Sequence, residues 1–213
     1  MKPAPDAAGC VVLLHGLGRS RASMAGMARY LRRAGYPVLN LGYPSRRHGI
    51  DHLVRSYLAP AVRRCTAQHG GPLHFVTHSL GGILLRHYLA THSLPEGSRA
   101  VLLAPPNRGS AVAEGLCGLP LPGCLLGPAR LEIGVIAGTR SVEPWFGRWL
   151  AQASDGKVGV AETRLEGMQD WCAVPATHTF IMNHPQARQA TLRFLRSGRF
   201  TPLSQAAGEG GAR

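Results

Sequence analysis

Six short apolar runs, most of them separated by helix-length segments, constrain the fold of this chain more than any other feature of its sequence. The runs are Cys10 to Leu14, Tyr36 to Leu41, Leu73 to Thr77, Ala100 to Ala104, Ile133 to Ala137 and Cys172 to Val174. Between the first two, Met24, Met27, Ala28 and Leu31 fall at helical spacing, and Gly35 ends the pattern. Further on, Ile50, Leu53, Val54, Tyr57, Leu58, Ala61, Val62 and Cys65 recur every three or four residues, which predicts one long amphipathic helix kinked at Pro60. Helices are also expected from Leu80 to Ala90 and from Pro185 to Arg196. Strands that are apolar nearly throughout must be covered on both faces, and helices between them supply the cover. The expected fold class is therefore α/β, a doubly wound and mostly parallel sheet of about six strands. Such sheets bind ligands beyond the carboxyl ends of their strands, so the residues following each run are where chemistry is sought.

A chain of 213 residues with 45% hydrophobic content supports one core, and we read residues 1–200 as a single domain followed by a disordered Gly/Ala-rich tail at 201–213. No stretch reaches the roughly 20 apolar residues that span a bilayer, and Met1 to Gly9 lacks the apolar centre of a signal peptide. A cytoplasmic protein without a transmembrane segment is expected. The formal charge of +13 comes from arginines dispersed in ones and twos, without basic runs interleaved with aromatics, so specific nucleic-acid recognition is not expected. A net positive field does favour peripheral contact with anionic lipid or an acidic substrate.

Five cysteines, with no CxxC pair and no histidine at ligand spacing, give neither a disulfide framework nor a zinc site. Cys10, Cys65 and Cys172 stand at apolar positions and read as core thiols, whereas Cys117 and Cys124 share one Gly/Pro-rich loop, where their pairing stays open. That uncharged segment, Gly115 to Ala129, is either a small lid or a loop packed on the core. His74, His78, His87 and His92 have no carboxylate at ligand spacing, and no metal is expected.

The strongest chemical signal is Thr77-His78-Ser79-Leu80-Gly81-Gly82, placed where an expected strand gives way to a helix. This is the pattern of a nucleophile elbow, with Thr77 where the first glycine usually stands; the sharp turn lifts the serine hydroxyl above the sheet. A serine needs a histidine base and an acid that orients it, and in this arrangement they follow in the order serine, acid, histidine. Beyond Ser79 only Asp155 and Asp170 qualify as the aspartate. Asp155 is favoured because it lies in the turn-like Ser154-Asp155-Gly156-Lys157, while Asp170 stands just ahead of the last strand. Of the two histidines that follow, His178 comes after that strand and is favoured over His184, which precedes Pro185 at a helix start. Oxyanion donors are expected from the backbone of Leu80, after the nucleophile, and of Leu17 in His15-Gly16-Leu17-Gly18.

From about Val11 to Phe200 the chain resembles the lipase-like branch of the α/β-hydrolase superfamily, which includes small bacterial esterases and lipases. The resemblance rests on His15-Gly16-Leu17-Gly18, on Thr77 to Gly82, on Pro106-Asn107-Arg108-Gly109-Ser110, and on the Asp155 and His178 segments. It implies cleavage of small-molecule or lipid carboxylic esters through an acyl-enzyme, with no metal and no organic cofactor. Ser79, Asp155 and His178 match the triad of such enzymes, and Leu17 and Leu80 match their oxyanion donors. The chain departs from the pattern at Thr77 and in having no large helical cap. Thioesters or phospholipid acyl groups are alternative substrates for the same machinery, and a catalytically silent domain that binds a lipid or a partner protein is an alternative from another class.

Overall fold

The computed structural model describes residues 9–108, 126–141 and 154–201. The segment 115–125, Cys117 and Cys124, the stretch around Trp145 to Leu150, and the tail from 202 onward lie outside the described residues.

Six strands form one sheet: β1 (Cys10–Leu14), β2 (Val38–Leu41), β3 (Leu73–His78), β4 (Arg99–Leu103), β5 (Glu132–Gly138) and β6 (Asp170–Val174). Their order is β2-β1-β3-β4-β5-β6 and every pairing is parallel. The expected α/β class with a mostly parallel sheet of six strands is what the structure contains, and no large cap stands over the sheet among the described residues.

Side chains alternate across a strand, so each apolar run feeds two cores. In β1, Cys10, Val12 and Leu14 enter one core together with Leu53, Leu58, Phe75, Ile83 and Leu84. Val11 and Leu13 point the other way and meet Met24, Met27, Leu31, Val76 and Phe194. The first core is roofed by α2 (Ile50–Leu53), α3 (Ala59–His69) and α4 (Leu80–Leu89), the second by α1 (Ala25–Arg33) and α5 (Pro185–Ser197). Helix α5 rides close over β5 because Gly134 has no side chain. A Cβ there would lie 2.6 Å from the rings of both Phe194 and Phe200.

The long helix expected from Ile50 onward departs from the simple kink at Pro60. A π-helical turn, Val54–Leu58, joins α2 to α3, and Pro60 falls in the first turn of α3. Proline has no N–H to give and its ring strikes the carbonyl four residues back in an α-helix; widening the preceding turn relieves that conflict while the chain stays helical. Among the described residues no helix is long and apolar enough to cross a membrane, and no group of three or more His, Cys, Asp or Glu side chains is placed to hold a metal ion.

Candidate active site

Because all six strands run the same way, the segments after β1, β3, β5 and β6 emerge at one edge of the sheet, and the residues singled out from sequence gather there. Ser79 directly follows β3 and caps α4 with φ 50° and ψ −119°, a backbone conformation that L side chains rarely adopt. Its N–H donates to Leu103 O at 3.0 Å, and its carbonyl accepts from Gly82 N at 2.9 Å, which pins the turn on both sides.

The helix can leave this turn so close to the sheet because of two glycines. A Cβ on Gly81 would fall 2.8 Å from both Leu14 Cβ and Leu14 O in the neighbouring strand. One on Gly82 would fall 3.3 Å from Thr77 Oγ1 and from Pro105 Cβ. The contact with Thr77 Oγ1 shows that the bare Gly82 leaves room for the Thr77 side chain beside the turn.

Asp155 and His178 are brought together. His178 Nδ1 donates to Asp155 Oδ2 at 2.8 Å, and the backbone N–H of His178 donates to Asp155 O at 2.9 Å. The other carboxylate oxygen, Oδ1, accepts from Lys157 N at 3.0 Å and Val158 N at 2.9 Å. Asp155 is 2% exposed, and burying an ionised carboxylate this deeply is tolerable only because donors meet both of its oxygens. It rests on Gly138 at the end of β5, where a Cβ would lie 2.7 Å from Asp155 Cβ. With Nδ1–H held by the carboxylate, the lone pair of neutral His178 is on Nε2, the tautomer a proton acceptor needs. Ser79 and His178 are not hydrogen-bonded to one another.

Neither competitor occupies a comparable place. Asp170 begins β6, where its Oδ2 accepts from Phe200 N at 2.7 Å and its Oδ1 from Trp171 N at 2.8 Å, a structural role at the far end of the strand. His184 caps the N-terminus of α5.

The loop after β1 lies against the serine. A Cβ on Gly16 would meet His78 Nδ1 at 2.8 Å and Ser79 Cβ at 3.3 Å. Within this loop Gly18 N donates to Ser45 Oγ at 3.0 Å and Arg19 N to Gly16 O at 3.2 Å, whereas the Leu17 N–H has no acceptor among the described residues. Leu80 opens α4, so its N–H has no carbonyl one turn back within the helix. Both amides named as oxyanion donors therefore have spare donor capacity beside Ser79.

Three participants in this geometry were not picked out from sequence. His78 donates from Nε2 to His178 O at 2.9 Å, tying the turn that carries Ser79 to the loop that carries His178 across 100 residues. Burial, and then the neighbouring His178, hold the His78 ring well below the usual proton affinity of histidine, so it stays neutral. Tyr43 stacks on His15 with ring centroids 4.0 Å apart, its hydroxyl donates to His15 O, and its N–H donates to His15 Nε2 at 3.4 Å. His15 Nδ1 donates to Gly16 O at 3.0 Å, and burial lowers its proton affinity too. The segment after β2 thus frames the loop after β1 through Tyr43 and Ser45. The only sequence signal was adjacency: His78 touches Ser79 in the chain, and Tyr43 and Ser45 follow a strand end.

Comparison with known proteins fits this architecture. A model of the alpha/beta hydrolase family matches residues 11–206. Among solved structures, the mature form of the Bacillus licheniformis lipase BlEst2 is 19% identical over 92% of this chain and 94% of that one, with a TM-score of 0.74. The product of gene lin2722 from Listeria innocua is 17% identical over 88% of this chain and 94% of that chain, with a TM-score of 0.65. Est1E from Butyrivibrio proteoclasticus, solved with ferulic acid bound, is 14% identical over 97% and 92% respectively, with a TM-score of 0.62. At such identities the likeness is one of fold. Among curated proteins none matches.

Proposed function

The chain belongs to the alpha/beta hydrolase family, and from that premise we propose that it is a serine hydrolase cleaving carboxylic esters through an acyl-enzyme. The observation that carries the reading is the buried Asp155–His178 pair, joined at 2.8 Å and set at the same sheet edge as the strained Ser79. In this reading Ser79 Oγ attacks the acyl carbon while His178 Nε2 takes its proton. Asp155 fixes the ring and stabilises the imidazolium that forms. Negative charge gathering on the carbonyl oxygen is met by the N–H groups of Leu17 and Leu80, with the N-terminal end of α4 behind the second. His178 then returns the proton to the departing alkoxide, and water repeats the sequence to free the acid. His78 acts as a positioning residue, since its bond to His178 O fixes the base loop against the elbow.

No step in this scheme calls for a metal or an organic cofactor. The reading takes residues 1–200 as one catalytic domain acting in the cytoplasm on a small or lipid ester. The test is hydrolysis of p-nitrophenyl esters from acetate to palmitate by the wild type and by Ser79→Ala. Turnover that vanishes in the variant supports a serine esterase, and the preferred chain length separates esterase from lipase. Turnover that survives in Ser79→Ala refutes the assignment of the nucleophile.

A further inference from the structure

The rim of the candidate site is cationic on one side, and nothing in the scheme above uses that charge. Arg46 lies over the loop after β1: a Cβ on Gly18 would be 3.0 Å from Arg46 Nε and 3.3 Å from its Nη2. Arg19, the next residue in the same loop, donates from Nη2 to Thr179 O at 3.2 Å, beside His178. The two guanidinium groups therefore stand near the loop that holds the Leu17 amide, and one of them bridges to the loop of the base.

Both arginines are exposed, and neither forms an ion pair among the described residues. Asp155, the carboxylate of the site, is buried and makes its contacts to His178, Lys157 N and Val158 N, and it pairs with neither arginine. The charge of Arg19 reaches the reacting end of the site, because it is among the charges that disfavour protonation of His78, the residue preceding Ser79. One residue beyond Thr179, Phe180 is 60% exposed, the one large hydrophobic side chain so exposed among the described residues. The rim thus pairs planar cationic forks with an apolar surface. Guanidinium groups match carboxylate and phosphate oxygens in geometry as well as in charge.

Resting on the serine-hydrolase reading, we propose that Arg19 and Arg46 select the substrate: an amphiphilic ester carrying a carboxylate or phosphate near the scissile bond, its apolar part against Phe180. Arg46, which makes no hydrogen bond among the described residues, is the specificity residue; Arg19 both contacts the anion and steadies the base loop.

The experiment compares two soluble esters of similar acyl length, neutral 4-nitrophenyl butyrate and anionic mono-4-nitrophenyl glutarate, in wild type, Arg46→Gln and Ser79→Ala. The expected result is a wild-type preference for the anionic ester in kcat/KM that falls about five- to tenfold in Arg46→Gln, chiefly through KM, while the neutral ester is unaffected. The preference should also shrink as salt is raised, since an exposed pair is screened. A parallel arm uses vesicles of phosphatidylglycerol or phosphatidylcholine and measures released fatty acid. An effect of Arg46→Gln on the soluble ester assigns the anion to the free substrate. One seen only on phosphatidylglycerol vesicles assigns it to a lipid headgroup. An unchanged ratio in both arms overturns the proposal. Loss of all turnover in Ser79→Ala alongside an unchanged ratio would leave the serine mechanism standing and remove only the anion selectivity.

Discussion

Replacing Ser79 by glycine should make the protein more stable than replacing it by alanine, although both changes remove the same hydroxyl. At φ 50° and ψ −119° a residue with a Cβ is held in a sparsely populated region, at a cost of about 1–3 kcal/mol. Alanine keeps the Cβ and with it the strain, whereas glycine adopts such angles freely. Glycine also adds freedom to the unfolded chain, which offsets about 0.4–1 kcal/mol of the gain. Ser79→Gly should therefore exceed Ser79→Ala by about 1 kcal/mol, or roughly 2–4 °C in Tm for a chain of this size. Urea unfolding followed by tryptophan fluorescence measures the difference, and equal slopes for the two variants would show that the unfolded states are comparable. Both should be inactive on any ester. A Ser79→Gly protein no more stable than Ser79→Ala would mean that the elbow stores no strain, and the account of why the serine stands proud of the sheet would fall with it.

Other outcomes separate the site from its surroundings. Asp155→Asn should fold but lose about 10⁴-fold in kcat, because the amide cannot hold the Nδ1–H tautomer; Asp170→Asn should keep kcat and lose about 1 kcal/mol of stability through its bond to Phe200 N. The reverse ranking in ester kinetics would exchange the two roles. Gly16→Ala should cost activity out of proportion to stability, since its methyl group would press on His78 and Ser79 at 2.8 Å and 3.3 Å, and steady-state kinetics beside a melting curve would show it. A third expectation concerns acid. Burial, with Arg99 second, lowers the pKa of His74 from 6.5 to about 4, so the unfolded chain binds this proton first as pH falls. His74 therefore contributes its full stability above pH 6.5 and loses it progressively down to about pH 4, a total of roughly 3 kcal/mol. His74→Gln should flatten that limb in urea unfolding measured across the range, and an unaltered slope would contradict the assignment.

The four inner strands were legible because parallel strands buried on both faces must be apolar at nearly every residue, and such runs stand out against a sequence rich in arginine; β2 and β6, at the edges, are only partly buried. Their ends were less so. The run beginning at Tyr36 enters the sheet only at Val38, because Tyr36 N is spent on Leu31 O where α1 ends and Pro37 has no N–H to offer. β6 starts two residues earlier than its apolar run, at Asp170, whose carboxylate serves local amides rather than the core. In the site, chain order left Asp155 or Asp170 and His178 or His184, position after a strand pointed to Asp155 and His178, and the hydrogen bond between those two is present. His78, Tyr43 and Ser45 escaped notice because their roles are contacts made 27 to 100 residues away, which no local periodicity encodes.

The tie between His78 and His178 also says something about when the site comes into being. The elbow and the loop after β1 belong to the first half of the chain, but the acid and base arrive only with the segments flanking β6, the last strand among the described residues and one edge of the sheet. Contacts of such long sequence separation carry their loop-closure cost before they return any stability. A refolding chain can thus hold most of its secondary structure while having no base within reach of its serine. Regain of turnover is accordingly a clock for the docking of the final strand, and a far-UV signal that recovers sooner would time everything before it.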